Sequence, residues 1–226
     1  MDTKEIFHWP PLESDPEIFT SYANKLGLSK DYIFEEVYSL DEETVNMLQS
    51  NSPYAVIVNY ERNKESKKSD YDTIDMPFYM LQKGKLDNAC GIIAAVHSIG
   101  NNLDSLVLDE KSVLSEFFLS AKNKSPSDIA DLLENNIDFQ TCHKEYSSQG
   151  QSRQCENQDE VKNHFVSFVI RNNTLVELDG TKGKPLIIEK NIDSSLLLIK
   201  TVEEIKKRLE NNEITEKLSV MTLNHA

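Results

Sequence analysis

The sequence predicts a single mixed α/β (α+β) domain over residues 1–226, a largely antiparallel central sheet flanked by helices. Three observations carry this reading. Residues 54–60 (YAVIVNY) and 164–170 (HFVSFVI) are short apolar runs rich in branched and aromatic side chains, as buried strands are. Residues 90–99 (CGIIAAVHSI) are apolar nearly all round, so they read as a helix that must be enclosed. A chain of 226 residues, 38% hydrophobic and without internal repeats, can bury one sizeable core.

Taken in order, Ser14-Asp15-Pro16 caps and opens a helix. Ile18, Phe19, Tyr22, Ala23 and Leu26 share one of its faces, and Gly27 closes it. Residues 32–38 read as a strand, and Asp41-Glu42-Glu43 opens a short helix through Leu48. Residues 61–75 are polar and aperiodic, hence a surface loop. The buried helix at 90–99 ends at Gly100, and helices follow near 110–121 and 126–135. Residues 145–160 (EYSSQGQSRQCENQDE) offer a core almost nothing and should form a mobile loop. Strands at 164–170, 174–178 and 186–189, a helix near 201–211 and a strand at 216–223 complete the list.

Twenty-four basic against 38 acidic residues leave a net charge of −14, which argues against nucleic acid; such a field would steer in a basic protein partner, although solubility alone also accounts for it. No apolar stretch reaches bilayer length, and no signal peptide is visible, so no membrane role is expected. Three widely spaced cysteines suggest neither a disulfide framework nor a zinc site, which favours a cytoplasmic or nuclear setting.

Of the thiols, Cys90 alone begins a helix, where free N–H groups and the macrodipole favour a thiolate. The same residue is equally readable as a small apolar side chain opening a core helix. Asp87 nearby works against thiolate formation, so a histidine partner is required. His97 lies two turns along the same helix, about 10 Å away and out of reach. His164 is better placed. An Asn172-Asn173 turn would set Ile170 opposite Leu175, Phe168 opposite Glu177 and Val166 opposite Asp179. His164 and Asp179 then become diagonal neighbours on one face, near enough for the carboxylate to orient the imidazole. A register slip of one residue would part them.

Together these residues resemble the ubiquitin carboxy-terminal hydrolases, papain-like thiol peptidases. Asp87-Asn-Ala-Cys90-Gly followed by IIAAVHSI resembles the family's nucleophile motif, and His164-Phe with Glu177-Leu-Asp179-Gly its His and Asp motifs. Trp9-Pro-Pro11-Leu12-Glu13 resembles its N-terminal segment, so Pro11, Leu12 and Glu13 are expected to bind substrate. The resemblance implies a Cys90–His164–Asp179 triad, a papain-like fold with a knotted backbone, and a crossover loop at 145–160 limiting leaving-group size. It further implies ubiquitin or a ubiquitin-like protein as partner, a monomer, and no cofactor or metal. One position departs: where the family has an oxyanion-binding Gln six residues before the nucleophile, this chain has Gly84, while Gln82 lies two residues earlier. Gln82 is the expected donor. The competing expectations are a ubiquitin-binding module with weak or no turnover and a papain-like acyltransferase.

Overall fold

The structure, a computed structural model, describes residues 7–63, 72–150 and 163–226. Helix α1 (Pro16–Leu26) starts where the Asp15 carboxylate accepts from the Glu17 and Ile18 N–H groups, and stops at Gly27, whose φ of 113° suits glycine. Strand β1 (Tyr32–Glu36) and helix α2 (Glu42–Gln49), capped by Asp41, lead into strand β2 (Ala55–Arg62). Helix α3 (Cys90–Gly100) is buried along its whole length. Three helices follow: α4 (Val113–Ala121), α5 (Pro126–Glu134) and α6 (Ile137–Ser147). The hairpin β3 (Asn163–Arg171) and β4 (Thr174–Leu178) precedes β5 (Leu186–Lys190), helix α7 (Leu197–Glu210) and β6 (Ile214–His225).

The six strands run β1-β6-β2-β3-β4-β5, every pairing antiparallel. Because side chains alternate along a strand, the sheet has two apolar faces. Ile57, Phe165, Val169 and Val176 meet the larger core, which holds α3 and residues of α1, α4, α5 and α6. Val56, Val58, Val166 and Phe168 meet the smaller one with Val45 of α2 and Val202 and Ile205 of α7. Each such aliphatic side chain contributes roughly 1.5–3 kcal/mol on burial, which is why a helix as apolar as α3 sits inside rather than on the surface.

The β3–β4 register agrees with expectation: Phe168 pairs with Glu177 and Ile170 with Leu175. Asn172 and Asn173 both adopt positive φ, 50° and 57°, as a two-residue hairpin turn of matching twist requires.

Several expectations need correcting. Residues 145–147 belong to α6, an element the sequence reading lacked, because its buried side chains include the polar His143 and Ser147. Of the rest of the expected crossover loop, 151–160 lies outside the described residues, as do most of the loop at 61–75 and part of the path on which a knot depends. The apolar segment at 78–81 forms no strand. Instead its backbone is held by α3 side chains, with Phe78 N–H donating to Asn101 Oδ1 at 3.2 Å and Met80 N–H to His97 Nε2 at 3.1 Å. Strand β1 ends at Glu36, leaving Tyr38 exposed, whereas α7 and β6 start earlier than their apolar patterns indicate.

Candidate active site

Cys90 is the first residue of α3 and is 6% exposed. Ala89 before it offers no capping side chain, so the first-turn N–H groups remain available to a ligand. Gly91 leaves little room, since a Cβ there would lie 3.2 Å from Leu12 Cβ. The N-terminal segment thus packs directly behind the thiol.

His164 comes from β3 and Asp179 from the residue after β4. His164 Nε2 donates to Asp179 Oδ1 at 2.7 Å, which leaves Nδ1 for a hydrogen bond with Cys90. Asp179 is fully buried and its carboxylate is saturated. Oδ1 also accepts from Thr181 N–H at 3.0 Å and Thr181 Oγ1 at 2.7 Å, and Oδ2 accepts from Arg62 Nη2 at 2.6 Å. Tyr79 Oη fixes the backbone there, donating to the Asp179 carbonyl at 2.8 Å and the Lys182 carbonyl at 2.6 Å.

These contacts decide the charges. Burial penalises the His164 imidazolium, but the hydrogen bonds to Asp179 and Cys90 and the Asp179 charge outweigh it, carrying the pKa up to about 9. Burial would raise Asp179, yet the His164 hydrogen bond and charge, Arg62 and Thr181 hold it well below the usual carboxylate range. An imidazole held in one orientation by a carboxylate, with its other nitrogen on a thiol, can remove the thiol proton and return it to a leaving group.

The Gln82 N–H donates to the Gly180 carbonyl at 2.7 Å, and its Nε2 donates to the Asp87 carbonyl at 2.6 Å in the turn before Cys90. Its Oε1 is buried without a hydrogen-bond partner among the described residues. Gly84 has φ of 60°, which strains any side chain placed there, and a Cβ would also displace the end of the Glu134 side chain 2.6 Å away. Leu12 is buried, and Pro11 and Glu13 are half-buried. The segment is tethered by His143, whose Nε2 donates to the Pro10 carbonyl at 2.6 Å while Nδ1 accepts from Tyr22 Oη at 3.2 Å.

Burial, followed by the Glu145 charge, pushes the Cys142 thiol up to about 12, and Cys155 lies outside the described residues. His97 is wholly buried and burial lowers it to about 4, as a packed helix histidine should be. Sequence reasoning missed Arg62, Thr181, Tyr79 and His143. Of these, Arg62 alone left a signal, a cation directly beyond an apolar strand and within its alternation. Among the described residues no three His, Cys, Asp or Glu side chains are grouped to hold a metal ion.

A family model described as "Ubiquitin carboxyl-terminal hydrolase, family 1" matches residues 9–210. Ubiquitin carboxyl-terminal hydrolase 3 of Arabidopsis thaliana is 32% identical over 217 residues, 90% of this chain and 88% of that protein. A ubiquitin carboxyl-terminal hydrolase of Aplysia californica is 30% identical over 206 residues, 88% of this chain and 94% of that protein. Among solved structures, the Trichinella spiralis UCH37 catalytic domain bound to ubiquitin vinyl methyl ester superposes with a TM-score of 0.75. It is 22% identical, and the match covers 97% of this chain and 96% of that one. Fold and family agree on the class, a cysteine peptidase of papain-like architecture. The chain belongs to family 1 of the ubiquitin carboxyl-terminal hydrolases.

Proposed function

We propose that the protein releases small adducts or short peptides from the C-terminal glycine of ubiquitin, or of a ubiquitin-like protein, using Cys90, His164 and Asp179. The observation that carries this is the His164–Asp179 hydrogen bond at 2.7 Å, with Cys90 among the groups that raise the basicity of the imidazole. His164 takes the Cys90 proton through Nδ1, and the thiolate adds to the glycine carbonyl. The Cys90 N–H and the Gln82 amide bind the oxyanion. Collapse of that adduct breaks the bond to the leaving group, which receives the proton from His164. Water, deprotonated by His164, then cleaves the thioester and frees the carboxylate. Asp179 keeps the imidazole in the tautomer this requires. Pro11, Leu12 and Glu13 contribute to the surface that holds ubiquitin, and the enzyme acts as a monomer in the cytoplasm or nucleus.

A second reading, a ubiquitin-binding module with little turnover, is favoured by one observation: a hydrogen of the Gln82 amide is already engaged by the Asp87 carbonyl. Ubiquitin bearing a fluorogenic C-terminal leaving group decides between them. Turnover is expected, with Cys90→Ala inactive but still binding ubiquitin, and an electrophilic ubiquitin probe should label Cys90 alone. Labelling at Cys142 or Cys155, or binding without product, would overturn the proposal.

A further inference from the structure

We propose that Arg62 is a positioning residue of this site, its guanidinium fixing the Asp179 carboxylate so that Oδ1 is presented to His164. The inference rests on the peptidase reading above and deepens it. The Asp179 carboxylate lies out of water, and a buried anion needs every lone pair met. Oδ1 is already shared by His164 and by both donors of Thr181. Across the carboxylate, Oδ2 meets the Arg62 Nη2 at 2.6 Å. Rotation about the Cβ–Cγ bond moves both oxygens together, so with Oδ2 held it must break the Arg62 contact as well as those of Thr181 on Oδ1.

The approach of Arg62 is itself constrained. Tyr60 and His164 are cross-strand partners, with the Tyr60 ring edge-on to the imidazole at 6.3 Å. Arg62 is two residues further along β2, hence on the same face, and its guanidinium lies 5.8 Å from the Tyr60 ring centre. Strand β2, which supplies no triad member, thus braces the triad from the side. The side chain is 30% exposed, enough to keep one edge in water while its inner edge meets Asp179.

The electrostatic sign separates this role from simple packing. Arg62 stabilises the Asp179 anion but opposes the charge on His164, so it holds His164 below the basicity Asp179 alone would give. The other groups around the pair are Cys90 of α3, Tyr60 of β2, Glu177 of β4 and Arg208 of α7, with Tyr79 and His97 behind Asp179. Glu177 and Arg208 form a buried ion pair with each other, so neither replaces Arg62 on Asp179.

Arg62→Gln and Arg62→Lys, each checked for native melting, test the proposal. On fluorogenic ubiquitin, Arg62→Gln should lower kcat about ten- to a hundredfold, the cost of a slightly misplaced catalytic group, with KM little changed. The His164 imidazole, followed by proton NMR and assigned with His164→Gln, should titrate roughly one unit higher in Arg62→Gln. Arg62→Lys keeps the charge but loses the planar fork, so it should titrate like the parent with an intermediate kcat. A His164 titration that is unmoved or lower in Arg62→Gln overturns the proposal, as does a loss confined to KM. If Arg62→Gln does not fold, a parental kcat in Arg62→Lys overturns it. Absence of turnover in the parent protein would defeat the peptidase reading alone, because the titration reports the clamp without catalysis.

Discussion

Gln82, the expected oxyanion donor, sits two residues before the position at which the family resemblance would place it. Its backbone is tied to Gly180 and its amide to the Asp87 carbonyl, so it stands between the Asp179 turn and the start of α3. Only one amide hydrogen is needed for Asp87, and the other remains for an oxyanion. Gln82→Ala is therefore expected to cut turnover by about 10²-fold or more with ubiquitin affinity retained. Gly84→Gln should give no gain, since its φ of 60° strains any side chain placed there. A silent Gln82→Ala on the fluorogenic substrate would remove Gln82 from the mechanism. At this scale the sequence told much about Cys90, His164 and Asp179, because a helix start and a hairpin register are local properties. It told little about Arg62, whose partner is 117 residues away, or about His143, which reaches back to Pro10. Such contacts depend on how distant segments dock, and no periodicity encodes that.

The hairpin β3–β4 is the element on which the site depends, because its register sets His164 against Asp179. That register rests on two consecutive left-handed residues, Asn172 and Asn173. Asn tolerates this conformation, whereas a β-branched residue pays about 1–2 kcal/mol for it. Asn172→Val should lower stability by that amount and reduce turnover further than the stability loss explains, through slippage of the pair. Urea melts and kinetics on the same preparation check this, and full activity in the destabilised variant would show that the register is held elsewhere. The hairpin was legible because strand alternation and an Asn-Asn turn agree. Helix α6 was not, since its buried face includes Cys142, His143 and Ser147 in place of an aliphatic stripe, and the polar atoms of His143 are matched by Tyr22 and Pro10. The segment at 78–82 is apolar yet outside the sheet, its backbone N–H groups donating to Asn101, His97, Pro126 and Gly180.

Across the whole molecule, buried histidines make stability depend on pH in both directions. Folding raises His164 from an ordinary value near 6.5 to about 9, so its contribution is full below about pH 6.5 and fades as the pH climbs towards 9. Burial lowers His97 and His143 to about 4, so their contributions are full above about pH 6.5 and fade as the pH falls towards 4. The urea midpoint should therefore peak near pH 6.5 and decline on either side. In His164→Gln the alkaline decline should largely vanish while the acid one remains. A midpoint that still rises between pH 7 and 9 would contradict these assignments.

The sheet order β1-β6-β2 carries a consequence for the newborn chain. Strands β1 and β2 leave the ribosome early and close together, yet they never pair with each other; the slot between them belongs to β6, with Ala55 mated to Leu223 and Tyr32 to His225. Until those late residues are synthesised, both strands present naked backbone edges and an unfinished apolar face. Such edges recruit any strand that drifts past. Strand β2 ends at Arg62 and β6 begins only at Ile214, so the central slot of the sheet is filled by the last element to be synthesised.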